Sequence, residues 1–436
     1  MYSIALPVFY FLIVISPLAL IFLSGPITSH EYIYETGKAF AIIGFMIVMM
    51  QFVLSSRRKW IERPYGLDII FRFHKSMAML AGFLILMHPL LLAFGSGHTE
   101  LLYSIDLPWY ILLGKFGLLL ILIHILISAF REKIGLGFQK WRVWHNILGA
   151  AIIAGIFIHS LIAGGDLDLT ALLVLWIAIA AIALIFYIHH KLIVPAQRKD
   201  LAYSITDVRQ ETHDVWTLEM SPPENHPRYE YNPGQFHFIK LLRDRGLPEE
   251  EHHFTISSSP TQSGAVTSTI KESGDFTSTI KDTQKGDKVA IEAPFGRFSH
   301  VFFPEDDEIA FIAGGIGITP IMSMLRHMRD TDDPRKVTLI YANHTEGDIV
   351  FRRELEEMAE KQHPNLTIVH VLDSPGEDWQ GETGYVNDEI ITKYIPDLSK
   401  MAFYICCPPP MRKQMLDILE RKNIDSSKIR LEIFSL

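Results

Sequence analysis

Six apolar stretches in the first 195 residues limit what this chain can fold into. They run Ile4–Leu23, Ala39–Leu54, Met77–Phe94, Leu107–Phe130, Ile147–Ala163 and Leu169–Ile188, and five runs of 16 or more residues there carry no formal charge. Each is near the ~20 residues with which an α-helix crosses ~30 Å of hydrocarbon, and a helix satisfies its own backbone donors and acceptors on the way. A bundle of six transmembrane helices in contact with a lipid bilayer is expected over residues 1–195. The first stretch lacks a basic leader and a small-residue cleavage site, so it reads as a retained helix rather than a signal peptide.

Charge separates this region from the rest. Residues 1–195 hold 13 Lys/Arg and 9 Asp/Glu, whereas residues 196–436 hold 27 and 40. The acidic half has no Lys/Arg run longer than two, which excludes a basic face for nucleic acid. The two cysteines, Cys406 and Cys407, are adjacent, which excludes a disulfide scaffold. The connecting loops set an orientation. Ser55–Asp68 carries Arg57, Arg58, Lys59 and Arg63, and Arg131–Arg142 carries Arg131, Lys133, Lys140 and Arg142. The loops Ser24–Gly37, Gly95–Asp106 and Gly164–Asp168 carry no Lys or Arg. The positive-inside rule then puts both basic loops, both termini and the second half of the chain in the cytoplasm of a multi-pass cell-membrane protein.

Ionisable residues inside a membrane are costly and mostly functional. Here they are chiefly histidines. His74 and His88 bracket the third segment, His145 and His159 the fifth, and both pairs are 14 residues apart. Fourteen residues fall about 40° short of four turns and span about 21 Å, so each pair shares one helix face near the two bilayer edges. The third and fifth helices run in the same direction. His74 is therefore level with His145 and His88 with His159, which builds two stacked sites of two imidazoles each, as two b-type haems require. His124, unpaired in the fourth segment, is expected to be a packing residue, as are the loop histidines His30 and His98, and His189 and His190 belong to the inner edge. Arg72 and Arg142 lie within a turn of the inner pair, either as partners for haem propionates or as ordinary inner anchors.

From about Leu201 short alternating strands punctuated by Pro and Gly predict an antiparallel β-barrel over 196–303. After Pro304 apolar strands alternate with helical stretches, which predicts a parallel α/β domain over 304–436. Motifs follow in order: Asn232-Pro233-Gly234-Gln235-Phe236, His252-His253-Phe254-Thr255-Ile256-Ser257-Ser258, Gly274-Asp275-Phe276-Thr277 and Ala293-Pro294-Phe295-Gly296. Then come Gly314-Gly315-Ile316-Gly317-Ile318-Thr319-Pro320, Cys406-Cys407-Pro408-Pro409-Pro410-Met411 and the terminal Glu432-Ile433-Phe434-Ser435-Leu436. A glycine-rich turn between strand and helix brings backbone N–H groups up to a pyrophosphate.

On these motifs the second half resembles the ferredoxin-NADP reductase superfamily. With the histidine pairs, the chain from about residue 40 onward resembles the ferric reductase/NADPH oxidase family, six-helix di-haem domains joined to a flavin and nicotinamide reductase. The resemblance implies FAD and NAD(P)H as cofactors. It places His252 near the FAD pyrophosphate, Phe254 against the flavin or ribose, and Thr255 near flavin N5. Gly274, Phe276 and Thr277 match the second flavin motif. Gly314, Gly315, Gly317, Thr319 and Pro320 match the nucleotide loop, Cys406 and Pro408 frame the nicotinamide, and Phe434 covers the flavin face. Thr255, Cys406 and Phe434 would be the residues closest to the chemistry. Phe254 and Phe276 also suit a barrel core, Thr255 a strand hydroxyl, Cys406 a small buried hydrophobe, and Phe434 a packing residue.

Three departures from the family stand out. Cys407 replaces a glycine beside the nicotinamide. His344 stands where many members carry an Arg for the NADPH 2′-phosphate, which leaves NADH and NADPH both open. Leu92 stands where superoxide-forming members carry a second outer histidine. The expected activity is transmembrane electron transfer from NAD(P)H through FAD and two haems to an extracytoplasmic Fe(III) or Cu(II) chelate. Alternatives are reduction of O2 on the outer face, a membrane-anchored flavin reductase without haem transfer, and a transporter with a regulatory nucleotide domain. The last is disfavoured because no broken helix pairs or internal repeats are found.

Overall fold

The computed structural model describes residues 2–24 and 32–433, which form two compact units, 1–194 and 195–436. Phe434 and His30 lie outside the described residues.

In the first unit the long helices are α1 (Tyr2–Ser24) and α2 (Tyr32–Leu54), then α4 (Leu67–Ser96) after the short α3 (Lys59–Tyr65). After α5 (Glu100–Tyr103) come α6 (Trp109–Phe130), α7 (Phe138–Ala163) and α8 (Thr170–Ile188). Six are long and apolar enough to cross a membrane. Three start well before their apolar runs, α2 seven residues before Ala39, α4 ten before Met77 and α7 nine before Ile147, so His74 and His145 lie within helices as His88 and His159 do. An apolar run marks only the part of a helix in hydrocarbon, and backbone bonding continues into the polar interface. Small residues bring the helices together. A Cβ on Gly44 of α2 would sit 2.7 Å from Ile85 of α4, and one on Gly117 of α6 would sit 3.2 Å from Ile156 of α7.

A π-turn at His189–Ile193 and the short α9 (Val194–Asp200) lead into the strands. The first six are β1 (Tyr203–Thr212), β2 (Val215–Ser221), β3 (Phe236–Leu242), β4 (Glu251–Thr255), β5 (Val266–Lys271) and β6 (Lys288–Phe295). They form one antiparallel sheet in the order β4-β3-β6-β1-β2-β5. The sheet curls until its ends meet, where the Ser257 amide just past β4 donates to the Thr267 carbonyl of β5 at 2.8 Å. This is the expected antiparallel barrel. Ile205, Leu218, Ile239, Ile256, Val266, Ile270 and Val289 fill it.

The rest is a parallel sheet with helices on both faces. Its elements are β7 (Glu308–Gly314), α10 (Ile318–Asp330), β8 (Lys336–Asn343), α11 (Arg352–Lys361), β9 (Leu366–Leu372), β10 (Glu382–Thr383), α12 (Asp388–Tyr394), β11 (Met401–Cys406), α13 (Pro409–Arg421) and β12 (Ile429–Leu431). Strand order is β10-β9-β8-β7-β11-β12. The chain builds outward from β7 on one side and returns to pair β11 on the other, so the switch point lies between β7 and β11, where open α/β sheets take ligands. Every residue of β11 is buried, as a strand covered on both faces must be. Phe311 and Tyr404 pack toward α10, while Ile312, Phe403 and Ile405 pack toward α12 and α13.

Candidate functional site

Two groups of side chains stand out in the membrane unit. In the outer pair each imidazole is aimed by a main-chain carbonyl: His88 Nδ1 lies 2.9 Å from Gly37 O, and His159 Nδ1 lies 2.7 Å from Tyr110 O. A carbonyl only accepts, so Nδ1 carries the hydrogen in both rings and Nε2 keeps its lone pair, the arrangement of metal-ligating histidines. Gly114 of α6 makes room for His159. A Cβ there would fall 2.6–2.8 Å from three atoms of the ring. His88 and His159 are near enough to interact electrostatically.

The inner pair has its own geometry. The His74 and His145 ring centroids are 6.3 Å apart, with planes inclined by 56°. Two imidazoles bound through Nε2 on opposite sides of one ion, with metal–nitrogen bonds of about 2 Å, have centroids roughly 6 Å apart. The spacing fits a shared iron. His74 Nδ1 is buried without a hydrogen-bond partner among the described residues, so this ring lacks the carbonyl that holds Nδ1 in each outer histidine. His145 packs on Trp141 at 4.8 Å and on His124 at 4.3 Å, so His124 is a packing neighbour of the pair. Arg72 is exposed and pairs with Asp68 at 2.9 Å, and Arg142 lies over the Phe138 ring.

In the barrel, His252 near the start of β4 lies flat on Phe276, 4.1 Å between centroids and 20° between planes, with Phe254 at 6.2 Å. Its Nε2 is 2.9 Å from Glu250 Oε2. Phe276 is buried in the barrel core, whereas Phe254 is half-buried at its edge. Thr255 ends β4 and is buried. The Ser273 and Gly274 amides both donate to Thr277 Oγ1, at 2.8 and 2.9 Å, so this hydroxyl shapes the Gly274–Thr277 turn. Behind the turn, the buried Arg243 donates to Thr279 O at 2.7 Å and Thr279 Oγ1 at 2.9 Å, pinning the 3-10 segment Thr277–Asp282.

At the β7/β11 switch point lies a cavity of about 310 Å³ lined by Gly314, Ile316, Gly317, Cys407, Pro408, Pro409, Arg412 and Ile433. The turn Gly315–Gly317 opens α10 here, and the Cβ position of Gly317 is filled by the Cys406 carbonyl. Thr319 is buried and donates to Ile316 O at 3.0 Å, so it braces the turn; Pro320 is buried beside it. Cys406 is fully buried behind Gly317, and the Cys407 side chain reaches the cavity wall. Burial pushes the Cys406 thiol well up and the Cys407 thiol to about 11, so both are protonated at neutral pH.

His344, just past β8, is exposed and lies 2.8 Å from Asp373 Oδ2, just past β9. Ser374 Oγ also donates to Asp373, at 2.9 Å. The hydrogen bond to His344 holds the Asp373 carboxyl below its usual range, so it is ionised at neutral pH. An acidic residue at a strand end can bind a ribose 2′-OH and repels a 2′-phosphate. The sequence reading missed Asp373. The signal was present, an acidic residue closing the strand after the one that ends at Asn343.

Known families match these parts in the same order. Residues 40–156 match the ferric reductase like transmembrane component, 201–299 an FAD-binding domain and 311–417 an oxidoreductase NAD-binding domain. The architecture is ferric reductase-like. The second half of this ferric reductase-like chain is an FAD- and NAD-binding reductase module, and the whole is a multi-pass membrane protein.

The chain is 32% identical over 231 residues to the glycine betaine monooxygenase reductase subunit of Pseudomonas aeruginosa, covering 52% of this chain and 62% of that protein. It is 35% identical over 147 residues to NADH-cytochrome b5 reductase 1 of Dictyostelium discoideum, covering 33% and 50%. The chain thus spans less than two thirds of each of these relatives. In fold it is similar to a flavohemoglobin from Malassezia yamatoensis, with 17% identity, a TM-score of 0.51, and coverage of 94% of this chain and 99% of that one.

Proposed function

We propose that this chain carries electrons across a membrane, from a cytoplasmic nicotinamide nucleotide to an extracytoplasmic ferric or cupric chelate. The observation that carries this reading is the pair of histidine sites on α4 and α7, with outer imidazoles aimed by carbonyls, on the same chain as a flavin reductase module. His74 with His145, and His88 with His159, would each hold one b-type haem. When bound, FAD supplies a hydride acceptor that also passes electrons singly, and the haems supply one-electron carriage through hydrocarbon.

The chain's own residues bind and orient. His252 and Phe254 line the flavin cleft, Thr255 offers its hydroxyl near the flavin edge, and Gly274 with Thr277 forms the turn for the FAD phosphates. Gly314, Gly315 and Gly317 let the nucleotide approach the start of α10. Cys406 and Pro408 back the nicotinamide site, and the family resemblance assigns Phe434, outside the described residues, the role of flavin cover. The ionised Asp373, paired with His344, favours NADH by accepting from the ribose 2′-OH and repelling a 2′-phosphate. The basic loops at Arg57–Arg63 and Arg131–Arg142 support a cytoplasmic reductase module and cytoplasmic termini.

Purified full-length protein, reconstituted and supplied with NADH, tests the acceptor. Anaerobic reduction of ferric chelate is expected to proceed as fast as in air. Turnover that requires O2 and yields superoxide would overturn the metal-reductase reading.

A further inference from the structure

Three prolines change how the nucleotide cavity can hold an anion. The chain leaves β11 through Cys406, Cys407 and Pro408, and α13 begins with Pro409 and Pro410. A helix N-terminus ordinarily gives an anion both its positive dipole end and its free N–H groups. Proline has no N–H. The Arg412 amide is already bonded to the Pro408 carbonyl at 2.9 Å. The first turn of α13 therefore keeps the dipole and loses most of its donors.

The Arg412 side chain restores them. It is half-buried and lines the cavity with Gly314, Gly317 and Cys407. Its guanidinium makes no hydrogen bond or ion pair with another described residue, and its charge reaches both thiols. The opposite wall is fixed close by, because a Cβ on Gly314 would meet Pro408 Cδ at 2.7 Å and Cys407 Cβ at 2.9 Å. Among the described residues this permanent cation has no fixed partner, and it lines the cavity with the glycine turn at the switch point, in a half-chain with 27 basic and 40 acidic residues that otherwise repels anions.

We propose that Arg412 is the pyrophosphate clamp of this cavity, gripping the dinucleotide's phosphates with a guanidinium in place of the amides that Pro408–Pro410 remove. This rests on the reading that the cavity takes a nicotinamide nucleotide. The pyrophosphate is common to NADH and NADPH and stays unchanged during hydride transfer. Arg412 therefore contributes binding equally before and during reaction, which moves KM and leaves kcat alone.

The test uses the FAD-loaded full-length protein in detergent, with ferricyanide as acceptor. Arg412→Gln is expected to raise KM for NADH and for NADPH by the same factor, about ten- to a hundredfold, with kcat within about twofold. Inhibition by ADP-ribose should weaken in parallel, and inhibition by adenosine should not. Arg412→Lys, which keeps the charge and loses the fork, should lie between. Wild-type KM and wild-type ADP-ribose inhibition in both variants would overturn the proposal, and so would equal losses for ADP-ribose and adenosine. A wild-type protein that binds neither ADP-ribose nor NADH would instead overturn the nucleotide reading together with this one.

Discussion

In the membrane unit imidazoles project from helices and the backbone aims the outer pair, whereas in the reductase unit backbone turns form the site and side chains brace them. His88 and His159 are each oriented by a carbonyl. The turns at Gly274 and Gly315, by contrast, are held by Thr277, Thr319 and the buried Arg243. Hydrocarbon accounts for the difference. It tolerates no loop with unpaired backbone groups, so a site there must be built from side chains on unbroken helices. A parallel sheet ends in loops whose free N–H groups suit phosphates.

Removing a proposed outer haem ligand should separate the two units most sharply. His88→Ala or His159→Ala is expected to cut haem from two to one per chain and to lower ferric-chelate reduction at least a hundredfold. NADH–ferricyanide activity should stay within about twofold. Two haems per chain in either variant would refute the ligand assignment.

At the other end, Asp373→Ser combined with His344→Arg should reverse the nucleotide preference. It replaces a repelling carboxylate with a guanidinium that grips the 2′-phosphate. The NADPH/NADH ratio of kcat/KM is expected to rise about ten- to a hundredfold with haem content unchanged. A ratio that does not move would place the ribose elsewhere.

Gly114→Ala probes the close packing behind His159. The added methyl would fall 2.6–2.8 Å from the ring, and overpacking of this kind costs about 1–3 kcal/mol. Loss of the outer haem with reductase activity intact is the expected outcome. Full haem content with an unchanged melting temperature would show that the ring yields freely.

The smallest effect expected is on acid stability, confined to the reductase unit. Burial holds His237 down to about 3, between Tyr229 and Ser268, and holds His300 down to about 3 as well. Both stay neutral when folded and take up a proton below about pH 6.5 when unfolded. The stability they support is complete above about pH 6.5 and is lost as pH falls toward 3, at about 1.4 kcal/mol per pH unit for each group. His237→Gln should make the slope of FAD-release melting temperature between pH 6.5 and 5 shallower, with His300, His327 and His370 keeping the remainder. An unchanged slope would show that His237 does not contribute.

The same contrast explains what was legible in the sequence. Helices in hydrocarbon write themselves as uncharged runs, and the 14-residue spacing put His74, His88, His145 and His159 on shared faces. The true starts of α4 and α7 were not legible, because charged residues interrupt their first turns: Asp68, Arg72 and Lys75 in α4, Lys140 and Arg142 in α7. In the reductase unit the glycine turns and strand alternation gave the barrel and the parallel sheet in order. Side chains brought together only by the sheet were hidden. Asp373 meets His344 across 29 residues of sequence, and Arg412 gains its meaning only when α13 is seen opening onto the Gly314–Gly317 turn.

The central claim is that one chain joins nucleotide oxidation to the histidine pairs of α4 and α7. Its most direct test is the visible spectrum of the purified full-length protein, recorded anaerobically before and after addition of NADH. Oxidised haem bands that convert to reduced b-type bands on adding NADH, and fail to convert in His74→Ala, are expected. A flavin that bleaches while haem bands are absent or stay oxidised would contradict the account.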